Sequence, residues 1–315
     1  MTQSGRNPLA ILVVVLAAGL AACGDGATSG SGAGEVPLPA TQPVAAPVAD
    51  GCITDPRAGR QTLECAGLSF ELSVPEACLE RACGLIVDVH GFGMNGFTED
   101  LHTQLADIGG RAGFVVLQPS APIGDGGFSS WSGSDDARVL AIVNRLMRVF
   151  HLMDTRVHMT GYSQGGFMTW RFLCDRPEIF GSVAPLSAGS GSCFDRDLPA
   201  EQVDILYAHG STDGLVDFAT ATTTVERILD RWSMTRREVV SQDAGHTWTR
   251  YANDRGTRFE FIQFEWETSF VLGPRPLRGH CFPGSDQFVG CGSDTSFHWG
   301  EEVTRFFLAH PRSRA

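Results

Sequence analysis

The 315-residue sequence is short of positive charge. Lys and Arg together number 24 against 36 Asp and Glu residues, which gives a net charge of −12 at pH 7. An acidic surface disfavours binding to nucleic acid and attachment to anionic membranes through basic clusters. The sequence also lacks internal repeats and heptad runs, which disfavours repeat architectures. With 43% hydrophobic and 19% charged residues, the chain has the composition of a globular protein with a sizeable core.

A long apolar run begins shortly after Arg6, in the stretch PLAILVVVLAAGLAAC, and has the length and flanking charge of a signal peptide. It ends in Leu20-Ala21-Ala22-Cys23, which resembles the lipobox of bacterial lipoproteins. We therefore predict that residues 1–22 are a signal peptide and that Cys23 carries a lipid. The protein would then be exported and anchored to a membrane, in the periplasm or at the cell surface. An ordinary signal peptide cut near Cys23 is the alternative, and it also predicts export.

Residues 23–50 have no periodic apolar pattern. They are rich in Gly and Ser at first and in Pro and Ala later, which is typical of a tether that is flexible and then stiffer. We expect one globular domain to follow, over residues 51–315.

Nine cysteines are present, and disulfides are the default in an exported protein. Setting Cys23 aside leaves eight. Proximity along the chain suggests the pairs Cys52–Cys65, Cys78–Cys83, Cys174–Cys193 and Cys281–Cys291. The alternative is a zinc site, whose four ligands would be His280, Cys281, Cys291 and His298. The spacing of these residues along the chain matches no common zinc pattern.

Strand-like and helix-like segments alternate from residue 68 onward. The β-rich segments are 68–74, 83–91, 113–120, 155–163, 182–188, 203–210 and 258–266. The segments with helical spacing of apolar residues are 136–150, 165–174, 221–232 and 299–310. This order predicts an α/β fold with a mostly parallel central sheet and helices on both faces. In such sheets the chemistry gathers at the carboxyl ends of the strands.

The run Gly161-Tyr162-Ser163-Gln164-Gly165 follows one of these strands and precedes a helix. Its G-x-S-x-G pattern marks a sharp strand-to-helix turn in α/β-hydrolases, with the serine exposed at the apex. Ser163 is therefore the candidate nucleophile. A serine hydroxyl needs a base to take its proton and a carboxylate to orient that base.

Two carboxylates compete for the orienting role. Asp213 lies in the loop that follows the strand 203–210, where it can face the site. Asp217 comes four residues later and is well placed to cap the following helix instead. We favour Asp213.

Three histidines downstream of the acid compete for the role of the base. His280 lies in a glycine-bounded loop between the strand 258–266 and the last helix, where a base is expected in this chain order. His246 precedes that strand, and His298 lies at the start of the last helix. We favour His280 and keep His246 as the alternative. His90 is disfavoured because it precedes Ser163 in the chain.

An oxyanion hole requires backbone N–H groups aimed at a developing negative oxygen. One should come from the residue after the nucleophile, Gln164. The other should come from a glycine-rich loop after an early strand, and His90-Gly91-Phe92-Gly93 is such a loop. We predict the Phe92 N–H as the second donor.

Five stretches together resemble the polyhydroxybutyrate depolymerase and feruloyl/acetylxylan esterase group of α/β-hydrolases. They are DVHGFG, GYSQGGFMTWRFLCDRPEIFGSVAPLSA, HGSTDGLVDF, GHCFPGS and EEVTRFFLAHP, within residues 66–311. The resemblance implies an α/β-hydrolase catalytic domain over residues 51–315. It also implies Ser163 as the nucleophile, Asp213 as the acid, His280 as the base and Phe92 as an oxyanion donor. The GHTW run around His246 fits the base motif as well but lacks its Pro-Gly.

The expected function is that of an exported serine esterase that needs no metal or organic cofactor. Its substrates would be hydroxyalkanoate oligoesters or polyesters, or feruloyl or acetyl esters of polysaccharides. The alternatives are a serine peptidase of the prolyl-oligopeptidase type and a non-catalytic surface binding protein on a hydrolase scaffold.

Four aromatic residues could form the wall of an acyl or aryl pocket, namely Phe92, Phe97, Phe128 and Trp131. Core packing is at least as good an explanation for Phe128 and Trp131. The long segment 248–277 could carry an insertion that shapes the same pocket.

Overall fold

The computed structural model describes residues 42–195 and 201–313. The predicted signal peptide, the predicted lipid site at Cys23 and the tether as far as residue 41 lie outside the described residues.

The segment just before residue 51 is hydrogen-bonded to the domain. The Val44 N–H donates to the Glu80 carbonyl at 3.0 Å, and the Val48 N–H donates to the Val149 carbonyl at 3.1 Å. Backbone bonds of this kind leave no side-chain pattern, so the Pro/Ala-rich segment has the composition of a linker although it is bound to the domain. Part of the predicted tether is therefore hydrogen-bonded to the domain, and the end of the tether at residue 50 stays a prediction.

Twelve strands are present in the described ranges. They are β1 (Gly59–Cys65), β2 (Leu68–Val74), β3 (Gly84–Val89), β4 (Phe114–Ser120), β5 (Val157–Tyr162), β6 (Ser182–Leu186), β7 (Asp204–Gly210), β8 (Arg236–Gln242), β9 (His246–Ala252), β10 (Arg258–Phe264), β11 (Thr268–Leu272) and β12 (Arg275–Arg278).

Ten of these strands form one sheet in the order β1-β2-β4-β3-β5-β6-β7-β10-β9-β8. The six strands from β4 to β10 in this order are parallel, and the strand pairs at both ends of the sheet are antiparallel. The mostly parallel sheet predicted from the sequence is confirmed. Strands β11 and β12 form a separate hairpin.

Six α-helices accompany the sheet in the described part of the chain. They are α1 (Gly96–Thr103), α2 (Leu105–Arg111), α3 (Asp135–Val149), α4 (Gln164–Asp175), α5 (Phe218–Arg231) and α6 (Trp299–Ala309). None of the helices in these ranges is long and apolar enough to cross a membrane.

The core lies on both faces of the sheet. Successive side chains of a strand point to opposite faces, so Leu85 of β3 packs with Ile142 of α3 in one apolar cluster. Its neighbour Ile86 packs with Phe307 of α6 in the other. Every residue of β3 and β5 is buried, as expected for strands covered by helices on both sides. The carboxyl ends of these strands are thereby fixed at one edge of the sheet.

All eight cysteines in the described ranges are paired, and the pairing is the one that proximity suggests. The bonds are Cys52–Cys65, Cys78–Cys83, Cys174–Cys193 and Cys281–Cys291. The alternative zinc site is wrong, because the two cysteines that it requires are joined to each other.

Candidate active site

Ser163 lies in a sharp turn between β5 and α4. Its φ angle is +52°, in the left-handed region that side-chain-bearing residues rarely adopt. A side chain on Gly165 would collide with the Val89 carbonyl of β3, so glycine is required where the first turn of α4 passes the sheet. The serine therefore stands at the apex of a tight turn at the carboxyl end of a parallel strand, as the G-x-S-x-G pattern predicts.

Ser163, His280 and Asp213 form one hydrogen-bonded chain, which we call the elbow cluster. The Ser163 hydroxyl lies 2.9 Å from His280 Nε2, and His280 Nδ1 lies 2.6 Å from Asp213 Oδ2. When the carboxylate accepts from Nδ1–H, neutral His280 has a bare Nε2 that can accept the serine proton. This is the geometry of a nucleophile, a base and an orienting acid.

The Asp213 carboxylate is buried and accepts several hydrogen bonds from the protein. Its Oδ1 accepts from the N–H groups of Leu215 at 2.8 Å and Val216 at 2.7 Å. Burial by itself would raise the pKa of Asp213, but hydrogen bonds from His209 and His280 lower this pKa to about 2. Asp213 is therefore ionised at neutral pH and available to stabilise a protonated His280.

Asp217, the alternative acid, lies at the N-terminus of α5. Its Oδ1 accepts from the Ala219 N–H at 2.8 Å, which satisfies one of the free donors of the first helical turn. The structure therefore shows Asp217 capping the helix that follows it, as its position in the sequence suggests.

The loop that carries His280 is attached directly to the serine turn. The Tyr162 hydroxyl donates to the His280 carbonyl at 2.8 Å, and Tyr162 immediately precedes Ser163. Burial raises the pKa of Tyr162 well above its ordinary value, so this hydroxyl remains a donor. On the other side, Cys281 is joined to Cys291. The hydrogen bond ties the base to the serine turn, and the disulfide closes the segment 281–291 that follows the base.

His246, the alternative base, lies in a different group of side chains. Its Nε2 is 2.8 Å from Ser241 Oγ, and its Nδ1 is 3.1 Å from Asp243 Oδ1. We call Ser241, His246 and Asp243 the edge cluster, because they lie at the turn between the outer strands β8 and β9. The structure thus brings His280, and not His246, to Ser163. His298 lies at the N-cap of α6.

The loop after β3 lies against the serine turn. A Cβ atom built on Gly91 would be 2.8 Å from the Tyr162 ring and 3.3 Å from Ser163 Cβ, so the two segments are in contact. Within residues 42–195 and 201–313, the backbone N–H groups of Phe92 and Gln164 have no protein acceptor. Two N–H groups next to the nucleophile are therefore available to a negatively charged oxygen.

His90 holds this loop in shape. Its Nδ1 lies 2.6 Å from the Gly91 carbonyl, and its Nε2 accepts from the Ala121 N–H at 2.9 Å. Burial lowers the pKa of His90 to about 4, so the ring is neutral at pH 7. Both ring nitrogens are occupied by the backbone, which agrees with the expectation that His90 is not the base.

An apolar cleft of about 230 Å³ opens above Ser163 and His280. Its walls include Phe92 and Phe128 on one side, with ring centroids 5.6 Å apart, and Phe270 and Phe288 on another, also 5.6 Å apart. The remaining apolar lining residues are Met94, Leu215, Leu272, Leu277 and Val289. Such a cleft favours an uncharged apolar group next to the nucleophile.

The predicted aromatic wall is correct for two residues out of four. Phe92 and Phe128 line the cleft, whereas Phe97 lines a neighbouring depression. Trp131 is buried and donates through Nε1 to the His90 carbonyl at 2.9 Å, so it belongs to the core.

Several residues of the cleft could not be predicted from the sequence. Phe270, Leu272 and Leu277 come from the β11–β12 hairpin, which overlaps the end of the long segment 248–277. The length of that segment predicts an insertion, but only the β-rich run TSFVL indicates that a strand is present. The described ranges contain no group of three or more His, Cys, Asp or Glu side chains that could hold a metal ion.

No protein-family model matches the chain. The chain is 24% identical over 137 residues to a bifunctional acetylxylan esterase/xylanase of Neocallimastix patriciarum and 27% identical over 118 residues to feruloyl esterase B of Neurospora crassa. These alignments cover 42% and 35% of this chain. They cover 20% of the first relative and 40% of the second, so the chain matches less than half of either one.

Two solved structures are similar in architecture. An acetyl xylan esterase from Aspergillus awamori aligns with a TM-score of 0.55 and 16% identity, over 65% of this chain and 93% of that one. A thermostable esterase aligns with a TM-score of 0.54 and 17% identity, over 80% of this chain and 62% of that one. Together with the mostly parallel sheet, its helices on both faces and the serine turn after β5, these similarities show that the chain has the α/β-hydrolase fold.

Proposed function

We propose that this protein is a serine-dependent carboxylic ester hydrolase. The observation that carries the proposal is the elbow cluster: Ser163, His280 and Asp213 are hydrogen-bonded in sequence beneath an apolar cleft. The similarity of parts of the chain to acetylxylan and feruloyl esterases supports the same reaction class.

In the first half of the reaction, Ser163 Oγ bonds to the ester carbonyl carbon while its proton moves to His280 Nε2. The carbonyl electron pair moves onto the oxygen, where the N–H groups of Phe92 and Gln164 stabilise the negative charge. Asp213 stabilises the imidazolium of His280. The tetrahedral intermediate then breaks its bond to the alcohol oxygen, which takes the proton from His280, and the acyl group remains on Ser163.

In the second half, His280 removes a proton from water as the water oxygen bonds to the acyl carbon. The same backbone N–H groups stabilise the second oxyanion. The bond to Ser163 Oγ then breaks, the serine recovers its proton from His280, and the carboxylic acid is released.

The apolar cleft narrows the substrate class. An uncharged acyl or aryl group fits a wall of phenylalanine and leucine side chains. We propose hydroxyalkanoate oligoesters or polyesters, and feruloyl or acetyl esters of polysaccharides, as the substrates to test.

We further propose that the protein works outside the cytoplasm, as a lipoprotein attached through Cys23. Four disulfides in the described ranges fit an oxidising compartment. The apolar run behind Arg6 and the lipobox-like tetrad support the membrane anchor.

The test is hydrolysis of p-nitrophenyl acetate, butyrate and octanoate, together with feruloyl and hydroxybutyrate esters, by the wild-type protein and Ser163→Ala. We expect the wild type to hydrolyse at least one ester and Ser163→Ala to lose at least about 10⁴-fold in kcat/KM. Circular dichroism confirms that both proteins are folded.

A folded wild-type protein that hydrolyses none of these esters contradicts the proposal. Cleavage of prolyl peptides in the same assay would favour the peptidase alternative. Binding of an ester without turnover would favour the non-catalytic alternative.

A further inference from the structure

The Asp213 carboxylate has a second histidine neighbour that the reaction above does not use. His209 Nε2 lies 3.2 Å from Asp213 Oδ2, the same oxygen that contacts His280 Nδ1 at 2.6 Å. His209 and Asp213 are both fully buried at their side chains. His209 is the penultimate residue of β7, and Asp213 follows in the loop at the end of that strand. The strand therefore presents both residues to the site.

Two contacts determine which nitrogen of His209 carries hydrogen. Nε2 lies 2.9 Å from the Val216 carbonyl, which can only accept, so Nε2 must be the donor. In the neutral ring Nδ1 is then bare, and it lies 3.0 Å from the Tyr207 hydroxyl. Tyr207 is fully buried, and burial raises its pKa well above the ordinary value, so its hydroxyl remains a donor. The Val216 carbonyl thus fixes the tautomer of His209, and the Tyr207 hydroxyl can donate to the bare Nδ1.

The result is an ordered set of donors around one carboxylate. The N–H groups of Leu215 and Val216 hold Oδ1, while Oδ2 contacts His280 Nδ1 at 2.6 Å and His209 Nε2 at 3.2 Å, the latter through a hydrogen shared with the Val216 carbonyl. The Val216 carbonyl also accepts from His209, so the loop 213–216 is closed onto the end of β7. Without His209, Oδ2 would have His280 as its single side-chain donor, and the plane of the carboxylate would be less constrained.

We propose that His209, held by the Val216 carbonyl and the Tyr207 hydroxyl, is a positioning residue that orients Asp213 toward His280. The proposal rests on the proposed ester hydrolase function of the elbow cluster. His209 touches neither the substrate nor the reacting atoms, and it acts through Asp213. The titratable groups that face Asp213 are His209 and His280, with Tyr162 and Tyr207 further away.

The first test compares His209→Ala with His209→Gln. A glutamine amide reaches about as far as imidazole Nε2 and can donate to Asp213. We expect His209→Ala to lower kcat by about 10- to 100-fold with little change in KM, as one lost hydrogen bond to a charged group predicts. His209→Gln should restore kcat to within about threefold of the wild type. A role in folding alone would lower the melting temperature of both variants without this difference in kcat.

The second test removes the Tyr207 hydroxyl, which contacts Nδ1 of His209. We expect Tyr207→Phe to lower kcat by about 3- to 10-fold, because the His209 ring then loses one of the hydrogen bonds that hold its orientation. Tyr251→Phe, in β9 where the Tyr251 ring stacks on Phe259, is the matched control and should leave kcat unchanged. Adding Tyr207→Phe to His209→Gln should cost little more, since glutamine has no ring nitrogen for Tyr207 to hold.

A third measurement does not depend on turnover. Nitrogen NMR of the histidines should show His209 as the Nε2–H form both in the wild type and in Tyr207→Phe. The proposal is overturned if folded His209→Ala keeps kcat within about twofold of an active wild type, or if His209 carries its hydrogen on Nδ1. An inactive wild type would instead overturn the proposed function, and the NMR result would still decide the tautomer.

Discussion

The elbow cluster and the edge cluster contain the same three kinds of side chain, joined by hydrogen bonds of similar length. The serine-to-histidine distance is 2.9 Å in the elbow cluster and 2.8 Å in the edge cluster. The histidine-to-aspartate distance is 2.6 Å in the first and 3.1 Å in the second. The side chains and their spacing alone would not separate a catalytic site from a structural one.

The surroundings of the two clusters differ. The elbow cluster is assembled from three distant parts of the chain, with Ser163 and His280 separated by 117 positions. The Asp213 side chain is fully buried, whereas the Asp243 side chain is 44% exposed. The N–H groups of Gly245 and His246, in the edge turn, already donate to Asp243 at 2.7 and 2.9 Å. Those donors are occupied, while the Phe92 and Gln164 donors beside Ser163 are available.

The comparison teaches that backbone context, more than the three side chains, distinguishes the two clusters. The elbow cluster has a strained turn, free N–H groups and an apolar cleft. The edge cluster connects the outer strands β8 and β9 by local hydrogen bonds at the turn between them. The following experiments change the two clusters, or the surfaces next to Ser163, and ask whether the protein responds differently.

The largest difference is expected from the two bases. His280→Ala should lower kcat/KM for p-nitrophenyl butyrate by about 10⁴-fold or more, because Ser163 loses its proton acceptor. His246→Ala should leave kcat/KM within about twofold of the wild type. Steady-state kinetics on both folded variants checks this. An active His280→Ala and an inactive His246→Ala would reverse the assignment of the two clusters.

A substitution in the cleft should lower the rate of hydrolysis less than loss of the base does, and only for substrates that fill the cleft. Phe128 and Phe97 are both 56% exposed, but only Phe128 lines the cleft above Ser163. Phe128→Ala should lower the ratio of octanoate to acetate hydrolysis by about 3- to 10-fold, through lost apolar contact with the longer chain. Phe97→Ala is the control and should leave the ratio unchanged. Equal effects of the two variants would contradict the placement of the acyl group.

The two aspartates should differ in their contribution to stability at acid pH. The pKa of Asp213 in the folded protein is about 2, below the value of about 3.9 for an unfolded chain. Its ionised form therefore contributes stability above about pH 4, and this contribution is lost as the pH falls toward about 2. Across this window the melting temperature of Asp213→Asn should fall less than that of the wild type.

Asp243 provides the control for that pH dependence. A hydrogen bond from the Ser296 hydroxyl, followed by one from the Gly245 N–H, lowers the pKa of Asp243 to about 2 as well. Solvent screens an exposed carboxylate, so Asp243→Asn should change the pH dependence less than Asp213→Asn does. Melting curves at pH 2 to 7 measure both, and a larger effect of Asp243→Asn would contradict the account.

The smallest effect is expected from Ser241→Ala. It removes one hydrogen bond at the edge of the sheet, which should lower the melting temperature by only about 1–4 °C. Ester hydrolysis should be unchanged. A loss of activity without a loss of stability would show that the edge cluster takes part in the reaction.

Much of the elbow cluster could be predicted from the sequence because its signals are local. The G-x-S-x-G run requires a tight turn, and Asp213 directly follows a buried strand. Chain order favoured His280, which the structure places beside Ser163. The central parallel strands could be predicted as well, since burial on both faces produces short continuous apolar runs.

Other features depend on contacts between distant segments and leave no local pattern. The β11–β12 hairpin contributes to the cleft only because the chain folds back over Ser163, and its charged and exposed residues hide that role. The role inferred for His209 depends on Tyr207 and Val216, whose orientations the sequence does not show. The attachment of residues 42–50 relies on backbone bonds and on the ion pairs of Asp50 with Arg145 and Arg148.

The most direct test of the central claim is covalent labelling with a fluorophosphonate, followed by mass-spectrometric mapping of the modified peptide. The probe reacts with an activated serine and reports no preference for one ester. We expect one label per molecule on Ser163, abolished by Ser163→Ala and retained in Ser241→Ala. A label on Ser241, or a folded protein in which Ser163 stays unmodified, would contradict the claim that the elbow cluster is the active site.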